Sequence, residues 1–139
     1  MHLFKLVISA CALAAASLGC SVAVSPLEPP LVTTAPAGTL TVRWLVAGTT
    51  DPGLCARYGA TTLELVVYDA GGGEVATANA ACESFSLTLA LPEGSYSADA
   101  TLVDPGARAR SVTKPIQAID IVAGTDLAID LDFPPSSIL

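Results

Sequence analysis

Residues 126–133 read DLAIDLDF, and apolar and polar side chains alternate along this stretch without a break. A repeat of two residues is the period of a β-strand, and it indicates a strand with one buried face and one solvated face. The predicted inward set is Leu127, Ile129, Leu131 and Phe133, and the outward set is Asp126, Ala128, Asp130 and Asp132.

The same alternation recurs in four earlier runs: TLTVRWLV at 39–46, TTLELVVY at 61–68, FSLTLAL at 85–91 and YSADATLV at 96–103. Turn signals separate the runs. DPGL at 51–54 and DPGA at 104–107 fit type II turns with a glycine at positive φ, and DAGGGE at 69–74 fits a hairpin tip. Short strands with regularly spaced turns predict an all-β fold, an antiparallel β-sandwich or a barrel.

The number of strands stays open between seven and eight, because the apolar parity changes from even to odd positions between Val112 and Ile121. Pro115 is the predicted bulge or break in that region. We place the sandwich domain at residues 39–135, with a tail at 136–139.

The chain begins with an apolar segment, LFKLVISACALAAASLG at 3–19, which has no charge after Lys5. Its length suits the core of a helical signal peptide spanning residues 1–19, with a retained membrane anchor as the alternative. SLGC at 17–20 resembles the lipobox of bacterial lipoproteins. That resemblance implies cleavage before Cys20, a thioether-linked lipid on its sulfur, and anchoring to a membrane of the cell envelope. Ser21 resembles the residue of lipoproteins sent to the outer membrane.

Residues 20–38 then form the lipidated cysteine and a proline-rich segment, SVAVSPLEPPLVTTAPAG at 21–38. This composition favours extended, semi-rigid backbone and predicts a tether that lifts the domain off the bilayer. The alternative is that part of the segment packs along the domain as an edge strand.

Four cysteines are present, and two of them fall in or directly after the predicted signal peptide: Cys11 and Cys20. Cys55 and Cys82 remain as a pair in an exported chain, which predicts a disulfide. Metal binding is the weaker alternative, because two thiolates need further ligands. With strands running alternately up and down, the loops that carry Cys55 and Cys82 fall at one pole, and the tether enters at the other.

LPEGSYSADATLVD at 91–104 and IVAGTDLAIDLDF at 121–133 resemble transthyretin-like sandwiches, which include carboxypeptidase regulatory-like domains and the B-type repeats of collagen adhesins. The residues that carry the likeness are Pro92, Gly94, Tyr96 and Gly124. The chain also resembles small sandwich lipoproteins of unknown role in Gram-negative bacteria. These resemblances imply a fold, an antiparallel β-sandwich of the prealbumin-like or Ig-like kind, rather than an activity.

Composition excludes several functions. With residues 1–19 removed, five of the six lysines and arginines remain against thirteen carboxylates, a net charge of −8. That balance argues against a nucleic-acid partner, whose phosphates require a basic face. The one histidine, His2, leaves with the signal peptide, which removes every Ser-His and Cys-His arrangement. We therefore predict no catalytic residues, no enzyme activity, no metal site and no cofactor.

Binding is the remaining class, and the loops of the predicted disulfide end supply its candidate residues. They are Asp51, Arg57, Tyr58, Glu83, Asp104 and Arg108. The leading prediction is a non-catalytic binding or structural module of the envelope, with the membrane as partner through its lipid and an envelope protein or polysaccharide as ligand. Ordinary solvated loops are the alternative reading of these residues.

Two further functions stay open. A carbohydrate- or peptide-binding accessory to an envelope enzyme requires an exposed aromatic surface, for which Tyr58 and Tyr68 are the candidates. A calcium-dependent adhesin requires the acidic side chains to converge within ligand distance. The carboxylates in question are Asp126, Asp130 and Asp132, with Glu64 and Asp99 nearby. The same carboxylates also serve to keep a strand soluble and unpaired.

Overall fold

The computed structural model describes residues 34–139, so the predicted signal peptide, Cys20 and the tether up to residue 33 lie outside the described residues. Seven strands follow, together with one six-residue helix, α1 (Pro52–Arg57), and two 3₁₀ turns, Cys82–Ser84 and Pro135–Ser137. No helix in this part of the chain has the length and apolarity to cross a membrane. The strands are β1 (Ala37–Val46), β2 (Thr62–Asp69), β3 (Glu74–Ala81), β4 (Ser86–Pro92), β5 (Gly94–Val103), β6 (Lys114–Ile121) and β7 (Asp126–Phe133).

The strands form two sheets, one in the order β4-β1-β7 and the other in the order β3-β2-β5-β6. The predicted all-β sandwich is confirmed, and the strand count is seven. Every pair of neighbours is antiparallel except β1 and β7, which run parallel. Strand direction alternates along the chain, so the first and the seventh strands point the same way, and pairing them gives a parallel ladder.

The core lies between the sheets and uses the residues that the alternation assigns inward. Leu40, Val42, Trp44 and Val46 of β1 are at most 1% exposed. Phe133, at the end of β7, is fully buried beside them. Burial of each such side chain contributes about 1.5–3 kcal/mol, so the central strand β1 holds a large share of the packing energy.

The parity change in β6 is a β-bulge. Tyr96 of β5 pairs with Ile119 while Ala98 pairs with Ile116, so two residues of β6 lie opposite one residue of β5. Ala118 adopts a positive φ of 56° at this point. The predicted break at Pro115 is wrong in position, since Pro115 keeps regular register and the bulge follows it. An edge strand tolerates this proline because one side of its backbone has no partner.

Neither DPG sequence forms the predicted type II turn, since Gly53 and Gly106 do not have positive φ. Asp51 instead caps α1, with Pro52 in its first turn. In the second loop the positive φ falls on Ala107. Both departures have one cause: an aspartate before proline accepts backbone N–H bonds from the residues that follow and so selects a helix start or an Asx turn.

The domain extends slightly beyond its predicted limits. Strand β1 starts at Ala37, two residues early. The predicted tail at 136–139 is docked on the domain, because Val112 donates its N–H to the Ser137 carbonyl over 2.8 Å and Leu139 donates to the Arg110 carbonyl over 2.9 Å. The chain terminus thus joins the loops at one end of the sandwich.

Candidate functional site

Four segments meet at one end of the sandwich: residues 47–61, 82–85, 104–113 and 134–139. We call this end the disulfide pole, because Cys55 and Cys82 are bonded there with their Cα atoms 6.0 Å apart. Both cysteines are buried, at 4% and 1% exposure. Strand β1 enters at the opposite end, where Ala37 pairs with Pro92. The predicted disulfide and its position far from the chain's entry are both confirmed.

All six candidate residues lie at the disulfide pole, on three different segments. Helix α1 positions the first three of them. The Asp51 carboxylate accepts a hydrogen bond of 2.9 Å from the Gly53 N–H and begins the helix. Arg57 follows in the last turn with its side chain exposed, and the half-buried Tyr58 ends the helix and packs against the core.

The second group of candidates is held by an Asx turn. Asp104 Oδ1 accepts the N–H of Gly106 at 2.8 Å and the N–H of Arg108 at 3.0 Å. The bond from the Arg108 N–H is the main cause that holds the pKa of Asp104 below its ordinary value, with help from the Gly106 N–H and the positive charges of Arg108 and Arg110. The turn leaves the Arg108 side chain exposed.

Glu83 lies in the 3₁₀ turn next to the disulfide and is exposed. This turn ends at Phe85, which adopts the left-handed conformation with φ 53°. A bulky residue in that conformation is strained by about 1–2 kcal/mol, and packing must hold it there. The backbone N–H of Trp44 donates a hydrogen bond of 3.2 Å to the Phe85 carbonyl, and the centres of the two aromatic rings lie 6.4 Å apart.

Arg110 is a residue of the pole that the sequence did not single out. Its Nε donates a hydrogen bond of 3.2 Å to the Tyr58 carbonyl, and its guanidinium lies where a side chain at position 59 would be. Gly59 is therefore required for this contact, and its φ of 67° also favours glycine. No local sequence pattern identifies this contact, because Arg110 and Tyr58 lie 52 positions apart.

The aspartates at this end of the domain accept backbone N–H groups, whereas the side chains of Arg57 and Arg108 are exposed. Asp51 and Asp104 accept backbone N–H groups, and Asp132 accepts the Gly48 N–H at 3.2 Å. Arg57 and Arg108 form no ion pair, since the one salt bridge within residues 34–139 joins Arg43 to Asp130 at 2.8 Å. Two exposed guanidinium groups thus remain without a carboxylate partner.

The opposite end of the domain is acidic. Five carboxylates lie at or close to the strand ends there, and the described part of the chain places no lysine or arginine among them. They are Asp69, Glu74, Glu93, Asp120 and Asp126. The two ends therefore differ in charge, because at the disulfide pole Arg57, Arg108 and Arg110 offset the carboxylates of Asp51, Glu83 and Asp104.

The two tyrosines do not form a common surface. Tyr58 lies at the disulfide pole, whereas Tyr68 lies near the other end of β2, and both are half-buried. Burial raises the pKa of Tyr68, and the nearby carboxylates of Asp99 and Glu74 raise it further. The aromatic platform that a sugar-binding accessory domain requires is not formed by this pair.

The acidic side chains of β7 do not converge. Asp126 accepts hydroxyl groups from Thr39 at 2.6 Å and Thr41 at 2.8 Å. Asp130 pairs with Arg43. Within residues 34–139 no group of three histidine, cysteine, aspartate or glutamate side chains is arranged to hold a metal ion. The calcium-dependent alternative therefore finds no site in the described part of the chain.

A shallow depression of about 410 Å³ adjoins the pole on the outer side of the three-stranded sheet. It exists because β4 starts only at Ser86, so the pairing of β4 with β1 ends at Arg43 and the last residues of β1 have no β4 neighbour. Leu45 is 37% exposed there. The lining residues are Arg43, Trp44, Leu45, Thr50, Phe85, Asp130 and Leu131.

No family model and no curated protein matches the chain. Among solved structures, a leucine-rich repeat protein from Bacteroides thetaiotaomicron is similar over 73% of this chain and 12% of its own, with 18% identity and a TM-score of 0.49. A DUF1812 protein of the same organism, assigned provisionally to polysaccharide binding, is similar over 67% of this chain and 46% of its own, with 14% identity and a TM-score of 0.36. This chain thus spans less than half the length of either protein, and likenesses at this level identify no function.

Proposed function

We propose that the protein is a non-catalytic binding module of the cell envelope, lipid-anchored through Cys20, that binds an anionic envelope polysaccharide at its disulfide pole. The SLGC sequence at 17–20 supports the anchor, and the proline-rich segment after it supports a spacer between membrane and domain. The pole faces away from the point where the chain enters, which suits contact with a ligand beyond the membrane surface.

The observation that carries this proposal is the pair of exposed, unpaired guanidinium groups of Arg57 and Arg108 on fixed loops. Guanidinium groups bind carboxylates and phosphates through paired hydrogen bonds. The disulfide fixes one loop, the Asp104 turn fixes the other, and Arg110 joins the two through the Tyr58 carbonyl. A fixed loop loses little entropy on binding, so more of the interaction energy appears as affinity.

The rest of the surface directs such a ligand to this pole. The five carboxylates of the opposite end repel an anionic polymer, and the free cations attract it, which gives one favoured direction of approach. We expect modest affinity that falls as salt is raised, because the cations are exposed and screened.

The test measures binding of the full chain, in mild detergent, by biolayer interferometry. Polygalacturonate serves as the anionic polymer and dextran as the neutral one. We expect binding to polygalacturonate alone, and a loss of about tenfold or more in the Arg57→Ala/Arg108→Ala variant. Arg43→Ala is the control, because the Arg43 guanidinium is already paired with the Asp130 carboxylate. Equal binding by wild type and the double variant would overturn the proposal.

A further inference from the structure

The sandwich has four edge strands, and they are not equally protected. Strand β6 carries Pro115 and the bulge at Ala118, and β7 carries three outward carboxylates. Both are devices that keep an edge from pairing with another strand. Strand β4 (Ser86–Pro92, SLTLALP) has no charged residue, no bulge and no proline before its last position.

The backbone of β4 is oriented for pairing. Phe85 and Glu93, which flank the strand, bond the backbone of β1 and of Pro36 respectively. Hydrogen bonding alternates along an antiparallel ladder, so the odd-numbered residues of β4 bond β1 and the even-numbered ones point their N–H and C=O groups away from it. Ser86, Thr88 and Ala90 therefore present an open ladder at the edge, and all three are exposed.

We propose that this edge pairs with β4 of a second copy of the chain, antiparallel about a two-fold axis at Thr88. Ser86 then lies opposite Ala90 of the other copy, and Thr88 lies opposite its own equivalent. These pairs use the open backbone groups and form about six hydrogen bonds. The two three-stranded sheets become one continuous six-stranded sheet of order β7-β1-β4-β4-β1-β7.

Charge does not oppose a second copy at this edge. The chain carries a net charge of −7, so two copies repel each other across most of their surfaces. Strand β4 itself has no charged residue, so like charges are not opposed along the paired residues, and Glu83 and Glu93 lie beyond its two ends.

Side-chain packing supports the same register. Leu87 and Leu89 face the core but are only half-buried, because no strand from residues 34–139 lies beyond β4. With the axis at Thr88, Leu87 lies opposite Leu89 of the other copy, and each covers the other's exposed apolar surface. Strand β3 is the edge of the other sheet, but it begins at Glu74 and has a register shift at Val75. Its inward residues are Ala76, Ala78 and Ala80, which offer little apolar area.

The test is sedimentation equilibrium of the full chain in mild detergent. Thr88→Pro removes an N–H that has no partner within the domain, so it blocks the edge without breaking the β1 ladder. Ala90→Lys places a charge on the edge and serves as a second variant. Ala128→Lys is the matched control, since Ala128 is exposed on the outer face of β7, at the other edge of the same sheet.

We expect wild type and Ala128→Lys to dimerise at about 100 µM, and both edge variants to dimerise at least about tenfold more weakly. Added salt strengthens the dimer by screening its net charge, opposite to its effect on polygalacturonate binding. A monomer at all concentrations would overturn the proposal. So would a dimer that survives both edge variants, or one that Asn79→Lys on β3 disrupts while Ala90→Lys leaves it intact.

Discussion

The indole nitrogen of Trp44 donates a hydrogen bond of 2.9 Å to the carbonyl oxygen of Cys82, and both residues are 1% exposed. The central strand β1 is thereby joined to the cysteine that holds the loops of the disulfide pole. A buried carbonyl that loses its donor keeps its desolvation cost, which makes this contact sensitive to substitution.

Trp44→Phe is expected to lower the free energy of unfolding by about 2–4 kcal/mol, because it removes the bond to Cys82 and leaves a cavity beside a fully packed core. Urea unfolding followed by circular dichroism measures the change, since the variant lacks the chain's one tryptophan. Val75→Ala is the control: Val75 is 48% exposed, and its variant should stay close to wild type. A loss below 1 kcal/mol for Trp44→Phe would contradict the packing described here.

The Cys55–Cys82 disulfide closes a loop between residues 27 positions apart. Its removal in Cys55→Ala/Cys82→Ala is expected to lower the free energy of unfolding by about 3–4 kcal/mol, since the unfolded chain regains the entropy of the open loop. Urea titration of the oxidised wild type and the double variant gives the difference. Dithiothreitol should reproduce the loss in wild type and leave the variant unchanged, and a reductant effect on the variant would assign the loss to another cause.

Ala107 and Ala109 give opposite responses to glycine. Ala107 has a φ of 59°, where an alanine is strained, so Ala107→Gly is expected to raise the melting temperature, with a gain of about 0.5–1 kcal/mol. Ala109 lies in an isolated bridge to Val103 without positive φ, so Ala109→Gly is expected to cost about 0.5–1 kcal/mol. Calorimetry of the two variants compares them directly, and a loss of stability in both would show that the entropy of the unfolded chain alone is at work.

The contacts between Asp126 of β7 and the threonines of β1 make the stability of the fold depend on pH in the acidic range. Hydrogen bonds from the hydroxyls of Thr39 and Thr41, with a smaller contribution from the charge of Arg43, hold the pKa of Asp126 below its ordinary 3.8. A lowered native pKa stabilises the fold above the unfolded value, and this contribution is lost as pH falls through the native one.

Thr39→Val is therefore expected to raise the pKa of Asp126 and to reduce its share of the acid-dependent loss of stability. Carboxyl NMR titration reads the pKa directly. Thr101→Val is the control, because the Thr101 hydroxyl bonds Thr113 on the other sheet. The pKa of Asp104, at the disulfide pole, should stay low in both variants, and an Asp126 pKa unchanged by Thr39→Val would refute the assignment.

The buried face of each strand could be predicted because the alternation of apolar and polar residues is a property of the local sequence. Leu40, Val42 and Trp44 alternate with polar residues in the printed sequence and alternate in exposure in the fold. The disulfide followed from the even cysteine pair in a chain that we predict to be exported, and its place at one pole followed from alternating strand direction.

Other features depended on competition between local and distant contacts. The aspartates of both DPG sequences accept backbone N–H groups, which overrode the expected type II turns. The parallel partner of β1 is β7, almost the whole domain away in sequence, and no local pattern reports such a pairing. The bond from Arg110 to the Tyr58 carbonyl likewise joins residues 52 positions apart. The candidate loops were thus locatable from sequence, but the side chain that holds them together was not.

The central position of β1 has a mechanical consequence. The chain enters this strand at Ala37, and β4 and β7 flank it on both sides along its length. A force that pulls on the N-terminal side of the strand while the disulfide pole is held runs parallel to the strands, so it must shear both ladders together rather than unzip them one bond at a time. We expect single-molecule pulling between these two points to show one abrupt, high-force rupture. Pulling on the C-terminal residue while the disulfide pole is still held loads the edge strand β7 from its end at that pole, and should peel it away at lower force.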